Sequence, residues 1–276
     1  MSQSRGDKSL TRVFVAAHSG GHIFPALELA RRWRDESNNR KTVFITAGQA
    51  FVRLIPEIPP WIDKLFFLPQ FRLPGKNPFR VIPFLLSGAF AALRSLLLFL
   101  FDRPEAVVTT GGVVAVPVCI VAWVLRIPVE LWELNAVPGK AVRFLLPFAS
   151  RVFFVFKKAK PKLSARAYCA LELADYPVRF SEVSRSRDEI IAEFNETFCR
   201  SFSSDSKTVF VLGGSQGSCG LNKIFCNAVE KTKLDMQVVH QVGWQDQHDW
   251  KGFYESIDVP ALVFQYKDSI EFFYGM

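Results

Sequence analysis

Arg12-Val13-Phe14-Val15-Ala16-Ala17-His18-Ser19-Gly20-Gly21-His22-Ile23-Phe24-Pro25 runs from an apolar stretch through a glycine turn into a segment of helical character. Residues 13–17 read as a strand and 24–34 as a helix, with Pro25 near the first turn, where its missing N–H is tolerated. The same pattern returns far along the chain: Thr208-Val209-Phe210-Val211-Leu212 leads into Gly213-Gly214-Ser215-Gln216-Gly217. Glycine lets the backbone turn sharply and lets a ligand approach its N–H groups. A helix starting there adds unpaired donors and the positive end of its dipole. One such turn says little. Two, in separate β-α runs, predict an α/β protein with twin nucleotide-type lobes and a cleft between them.

At 276 residues the chain can form two modest α/β domains or one large one. An apolar content of 49% excludes a disordered chain. The formal net charge of +8 favours an anionic partner: nucleic acid, an acidic membrane surface or a phosphorylated substrate. Cys119, Cys169, Cys199, Cys219 and Cys226 show neither CxxC pairing nor a Cys/His ligand pattern, so buried free thiols and no metal site are expected. That usage fits a reducing cytoplasm. Residues 1–10 are polar and lack the apolar run of a signal peptide.

Residues 42–46, 64–68, 106–109 and 129–132 are further strand candidates. Strands alternating with helices imply a parallel sheet with helices on both faces. Residues 151–206 are less regular, and Ser, Arg, Asp and Glu crowd residues 181–205. This places an N-terminal lobe at 1–178, a linker at 179–206 and a second lobe at 207–276. The second lobe has strands at 208–212, 237–241 and 261–266 and a helix at 221–231. Such a lobe is too small for a complete doubly wound sheet, so it is expected to be incomplete and the sequence C-terminally truncated.

Residues 81–101, VIPFLLSGAFAALRSLLLFLF, are long enough to span a bilayer, yet carry Arg94 well inside the run. A spanning helix, a helix buried by the sheet and a surface helix dipping its apolar face into lipid are the alternatives. The flanking Phe71, Arg72, Lys76 and Arg80, with Phe84 on the helix, favour the last: peripheral docking on an anionic membrane.

His22 closes the first glycine turn at a helix start. That position disfavours the imidazolium and leaves a neutral base near pH 7, with His18 a less favoured neighbour. Thr109-Thr110-Gly111-Gly112 ends another strand before an apolar helix at 113–125. It is either a tight turn over a buried helix or a further edge of the same cleft. Glu133 and Asn135 alternate with Leu134 and could hold sugar hydroxyls or orient a base, while Asn135 could also cap a helix. Ser215, Gln216 and Gly217 offer donors to a diphosphate. There is no P-loop Lys-[Ser/Thr] after Gly217 and no GxGxxG, so ATPase and dinucleotide readings fall away. No nucleic-acid-binding module is recognised, and no nucleic-acid partner is expected.

Six motifs, in order, resemble those of the MurG family of bacterial glycosyltransferases. SGGHIFPALELA (19–30) is similar to GGTGGHxxPALA, and TTGGVVAVP (109–117) resembles the family's second glycine loop. ELNAVPGKAVRFL (133–145) resembles EQNAVPGxxNRxL, and YPVR (176–179) resembles NPVR. VLGGSQGSCGLNK (211–223) resembles VxGGSQGAxxLN, and HQVG (240–243) resembles HQxG. The chain departs from the pattern at Ala16, Ala17, Val113, Leu134 and Tyr176. The family's arginine-serine-glycine turn, ribose-holding glutamate, glutamine-bearing loop and closing helix would come after Met276.

The resemblance implies a GT-B fold and a metal-independent, cofactor-free, inverting transfer of N-acetylglucosamine. The donor would be UDP-N-acetylglucosamine. The acceptor would be the 4-hydroxyl of the muramyl sugar of lipid I, an undecaprenyl-diphosphate lipid, and the product lipid II for peptidoglycan. The site would be the cytoplasmic face of the bacterial plasma membrane. His22 would be the general base, with Glu133 and Asn135 beside it and Ser19, Gly20, Gly21, Gly111 and Gly112 forming the acceptor loops. Arg179, Gly214, Ser215, Gln216, Gly217 and Asn222 would contact the donor. Two other readings stay open. One is an impaired acceptor-lobe protein that docks on the membrane or pairs with a separate donor subunit. The other is a different GT-B nucleotide-sugar enzyme such as an epimerase.

Overall fold

The computed structural model describes residues 9–16, 19–48, 50–70, 75, 78–164, 167–178, 185–214, 217–232, 235–267 and 270–276. The chain divides into two compact units, Met1–Arg179 and Phe180–Met276.

Unit 1 runs β1 (Leu10–Val15), α1 (Gly20–Asp35), β2 (Arg40–Ala47), α2 (Ala50–Leu54), β3 (Lys64–Leu68), α3 (Val81–Asp102) and β4 (Ala106–Thr109). It continues with α4 (Ala115–Val124), β5 (Val129–Glu133), α5 (Lys140–Leu145), β6 (Arg151–Phe154), α6 (Lys160–Ser164) and β7 (Leu171–Leu173). The strands form one parallel sheet in the order β3-β2-β1-β4-β5-β6-β7. The order reverses between β1 and β4, where Val13 faces Val43 on one side and Val107 on the other. Central strands covered on both faces read as unbroken apolar runs, which is why β1, β2 and β4 stand out in the sequence. One face carries a core of Val13, Val15, Val107, Val118, Leu131 and Leu145 under α3, α4 and α5.

The sheet extends beyond the sequence expectation, because β6 and β7 lie within the stretch read as irregular. Both are short, and charged pairs tie them to their neighbours: Arg151 bonds Glu172 at 3.1 Å and approaches Glu130 at 3.6 Å.

Unit 2 runs α7 (Arg187–Phe198), β8 (Lys207–Leu212), α8 (Cys219–Thr232), β9 (Met236–Gln241), α9 (Trp250–Ser256) and β10 (Ala261–Phe264). Its strands form a parallel sheet in the order β10-β9-β8. One face packs Ile191, Phe194, Phe202, Val239 and Phe273, and the other Val211, Cys226, Val238, Trp250 and Tyr254. Residues 179–206 were expected as a linker, yet α7 lies within them. A capping box between Ser186 and Glu189 starts this helix, and Ile190, Ile191 and Phe194 are buried. A stretch of polar composition therefore hides a core helix of unit 2.

The cysteines also depart from expectation. Cys119 and Cys226 are buried, but Cys199 and Cys219 are exposed and Cys169 is partly so. Cys199 is the left-handed C-cap of α7, at φ 49°, and Cys219 opens α8, so both sit at helix ends rather than in the core.

Candidate functional site

In an open parallel sheet, ligands bind beyond the carboxyl ends of the strands where the order reverses. In unit 1 that place is the β1/β4 junction. α1 begins there at Gly20, with Ser19 as an N-cap whose side chain makes no capping bond. The helix thus starts earlier than expected: Gly20 and Gly21 are helical, and Pro25 lies inside α1. The sharp turning falls instead to Gly111 (φ 94°) and Gly112 (φ 93°). A Cβ on Gly21 would meet nothing within 4 Å, so space is left open over the helix start.

His22 is half-buried in the first turn of α1. Its Nδ1 lies 2.8 Å from the carbonyl of Thr110, and the Thr110 hydroxyl donates to the carbonyl of His22 at 3.1 Å. A carbonyl only accepts, so Nδ1 carries a proton, and the tautomer this bond selects has Nε2 as its basic nitrogen. The Thr109 hydroxyl donates to the Val15 carbonyl and accepts from the Gly111 N–H, both at 3.0 Å, locking β4 to β1. A Cβ on Gly111 would stand 2.9 Å from Val142 Cγ2 and 4.0 Å from His22 Cε1. Glycine at this position, with its positive φ, lets the turn pack against Val142.

Glu133 corrects the sequence reading. It is 1% exposed, and its carboxylate is fully engaged. Oε1 accepts from the Asn135 N–H at 2.8 Å and from Asn135 Nδ2 at 3.1 Å, and Oε2 accepts from the Gly139 N–H at 3.0 Å. Burial pushes its carboxyl above the usual range, and these donors offset that only in part. Glu133 therefore shapes the loop 134–139 from beneath instead of facing a ligand. Asn135 is exposed, and it does not cap α5, whose N-cap is Gly139.

In unit 2 the second glycine turn leaves β8. Gly214 (φ 76°) and Gly217 (φ 80°) take the left-handed conformation that favours glycine. Asn222 is a further correction: it is fully buried, and its amide points inward. Nδ2 donates to the Val242 carbonyl at 3.0 Å and to Asp246 Oδ2 at 2.8 Å, while Oδ1 faces His240 Nε2 at 3.1 Å. Asn222 supports the turn and is not a donor contact. His18, Arg179, Ser215 and Gln216 lie outside the described residues.

α3 settles against α4 through a narrow stripe of Ala91, Ser95, Leu98 and Phe99, so it is not buried by the sheet. Ile82, Leu85, Leu86, Leu93 and Leu100 are exposed, as are Phe79 and Arg80 just before the helix. Phe84 is half-buried, and Arg94 lies on the surface, where its guanidinium reaches the Phe67 carbonyl at 3.5 Å. Phe71, Arg72 and Lys76 lie outside the described residues. By length and composition α3 could cross a membrane.

Residues 13–154 match the Glycosyltransferase family 28 N-terminal domain, and residues 208–274 match the Glycosyltransferase family 28 C-terminal domain. A relative from Halothermothrix orenii is 27% identical over 273 residues, covering 96% of this chain and 71% of its own. It is named UDP-N-acetylglucosamine–N-acetylmuramyl-(pentapeptide) pyrophosphoryl-undecaprenol N-acetylglucosamine transferase. The crystal structure of Acinetobacter baumannii MurG matches with a TM-score of 0.65 at 21% identity, over 96% of this chain and 71% of that one. A UDP-GlcNAc 2-epimerase from Methanocaldococcus jannaschii matches with a TM-score of 0.58 at 12% identity, over 95% and 75%. At these identities the structures bear on the fold alone, which is the α/β GT-B class.

Proposed function

The chain belongs to glycosyltransferase family 28, and on that premise we propose that it transfers N-acetylglucosamine from UDP-N-acetylglucosamine to the 4-hydroxyl of the muramyl sugar of lipid I, with inversion. The observation that carries the proposal is the His22–Thr110 bond. That bond leaves Nε2 as the ring nitrogen able to take a proton, which supports a base role for a histidine in the first turn of the helix that follows β1.

In this mechanism Nε2 of His22 accepts the proton of the acceptor hydroxyl as its oxygen bonds to the anomeric carbon of the donor sugar. The bond from that carbon to UDP breaks, and the electron pair leaves on the diphosphate. N–H groups at the start of α1 and along the loop 111–112 receive the diphosphate of the lipid acceptor. The turn 213–217 and the start of α8 receive the leaving diphosphate of the nucleotide, with Arg179, Ser215 and Gln216 as its side-chain contacts. No cofactor or metal enters the proposal. The exposed apolar face of α3, beside Arg80, docks the chain peripherally on an anionic membrane, where such an acceptor resides.

The epimerase likeness, at 12% identity, favours no second reading. The test is transfer of radiolabel from UDP-N-acetylglucosamine to a lipid I analogue in detergent. Wild-type transfer that His22→Ala reduces by about a thousandfold or more supports the proposal. Equal transfer by the two would remove His22 from the base role. No transfer by either, with label released as free sugar, would favour a different nucleotide-sugar chemistry.

A further inference from the structure

The segment 240–243, His-Gln-Val-Gly, ends β9, and the reaction above gives its histidine nothing to do. His240 is completely buried, as are Asn222 on α8 and, almost completely, Tyr254 on α9. Asn222 Nδ2 donates to both the Val242 carbonyl and Asp246, so its oxygen is the atom facing His240 Nε2. An amide oxygen only accepts, which puts the ring proton on Nε2. Nδ1 then accepts from the Tyr254 hydroxyl at 2.9 Å, and that hydroxyl accepts from the Cys226 thiol at 3.5 Å. Each polar atom in the series has one role. Flipping the Asn222 amide would set donor against donor at His240 and acceptor against acceptor at Val242.

The Val242 carbonyl is also the wall against which the glycine turn rests. A Cβ on Gly217 would stand 2.2 Å from that oxygen and 2.9 Å from Gly243 Cα. At the other end of the turn, the Gly213 N–H donates to the Gln241 carbonyl at 3.3 Å. Gly213 and Gly217, at the two ends of the turn, thus sit against the residues that directly follow His240, and Asn222 holds that seat from the first turn of α8.

We propose that His240 is a positioning residue for the glycine turn: the buried imidazole fixes the amide of Asn222, and Asn222 holds the Val242 carbonyl where it braces Gly217. The consequence for nucleotide binding rests on reading this turn as the site of the donor diphosphate, whereas the bracing does not.

The experiment is hydrogen exchange on the whole chain, with UDP titrated in parallel. Asn222→Asp keeps the shape and turns the donor toward Val242 into an acceptor. His240→Phe removes both ring partners, His240→Gln returns a donor and an acceptor, and Tyr254→Phe removes one hydroxyl only as the mildest change. The expected result is exchange at residues 213–218 faster by about tenfold in Asn222→Asp and His240→Phe, less in Tyr254→Phe, and recovering in His240→Gln. The β10 amides should keep their wild-type rates. UDP affinity, and KM for the sugar nucleotide, should worsen by about tenfold while kcat stays within about threefold. Unchanged exchange in the turn overturns the proposal, and so does acceleration spread evenly over unit 2, which would mean plain destabilisation. Local acceleration in a chain whose wild type binds no UDP would uphold the bracing and remove the nucleotide reading.

Discussion

A single missing side chain separates what α1 needs for stability from what a ligand needs. Gly21 is helical and exposed, and a methyl group there would touch no protein atom within 4 Å. Alanine at a helical position lowers the entropy lost on folding, so Gly21→Ala should leave stability unchanged or raise it by up to about 1 kcal/mol. The same methyl would occupy the space over the helix start beside His22. If the acceptor diphosphate approaches there, kcat/KM for the lipid substrate should fall by about tenfold or more while Tm holds or rises. Thermal unfolding and a transfer assay on one preparation check both halves, and full activity would place the acceptor elsewhere. His240 supports a second residue-level prediction. Desolvation lowers its pKa from 6.5 to about 4, and the nearby Asp246 charge offsets that only in part. The unfolded chain therefore takes up a proton that the folded one refuses. Stability is full above pH 6.5, falls as pH drops toward about 4, and loses about 3 kcal/mol across that window. Urea unfolding at stepped pH, with His240→Gln losing this slope, tests the sign and the source.

At the scale of elements, α7 shows what a sequence reading can miss. Ser186-Arg187-Asp188-Glu189 carries a capping-box pattern, and both of its bonds form. The surrounding Ser, Arg and Glu residues instead suggested a linker, because composition does not report that Ile191 and Phe194 meet Val239 and Phe273. Ser186→Ala should therefore destabilise unit 2 by about 1 kcal/mol, and Phe194→Ala by about 3–5 kcal/mol; chemical denaturation of each variant measures this. A true linker would show neither effect. Other elements were legible for a plain reason: β4 has the expected bounds, residues 106–109, since a strand buried along its whole length carries an unbroken apolar run. Edge strand β3 keeps its expected bounds, residues 64–68, through the apolar run Leu65–Leu68. β6 and β7 were not legible, because they are only four and three residues long and their backbone pairing with β5 and with each other joins segments that local spacing does not connect. The candidate site divides in the same way. The positive-φ glycines 111, 112, 214 and 217 follow from local backbone demands. Glu133 and Asn222 were assigned outward roles, and only the fold shows Glu133 turned onto Gly139 and Asn222 onto Val242 and Asp246.

At the scale of the molecule, the exposed apolar face of α3, a helix of 22 residues and so about 33 Å long, calls for a covering. Its inward stripe is only Ala91, Ser95, Leu98 and Phe99, and a water-facing run of leucines of this extent is unusual for a monomer. Lipid is the covering that suits a chain of net charge +8 with an arginine at the start of the helix. Ile82, Leu85 and Leu86 are 68%, 60% and 66% exposed, so replacing all three with serine removes little packing and should change stability by less than about 1 kcal/mol. If these side chains enter the acyl boundary, each contributes about 1.5 kcal/mol of partitioning, and the triple variant should lose more than about a hundredfold in affinity for anionic vesicles. Vesicle flotation measures that loss, and raising the salt concentration should weaken the wild type further by screening Arg80 and its neighbours. Alkaline carbonate separates docking from spanning: a helix lying in the interface washes off, whereas one crossing the bilayer stays. Retention after carbonate would require Arg94 to lie within the hydrocarbon, whereas here it reaches the Phe67 carbonyl at the protein surface. Unaltered flotation of the triple variant would instead mean that a protein surface covers α3, and transfer to a detergent-dispersed acceptor would then survive the substitutions while lipid affinity no longer depended on them.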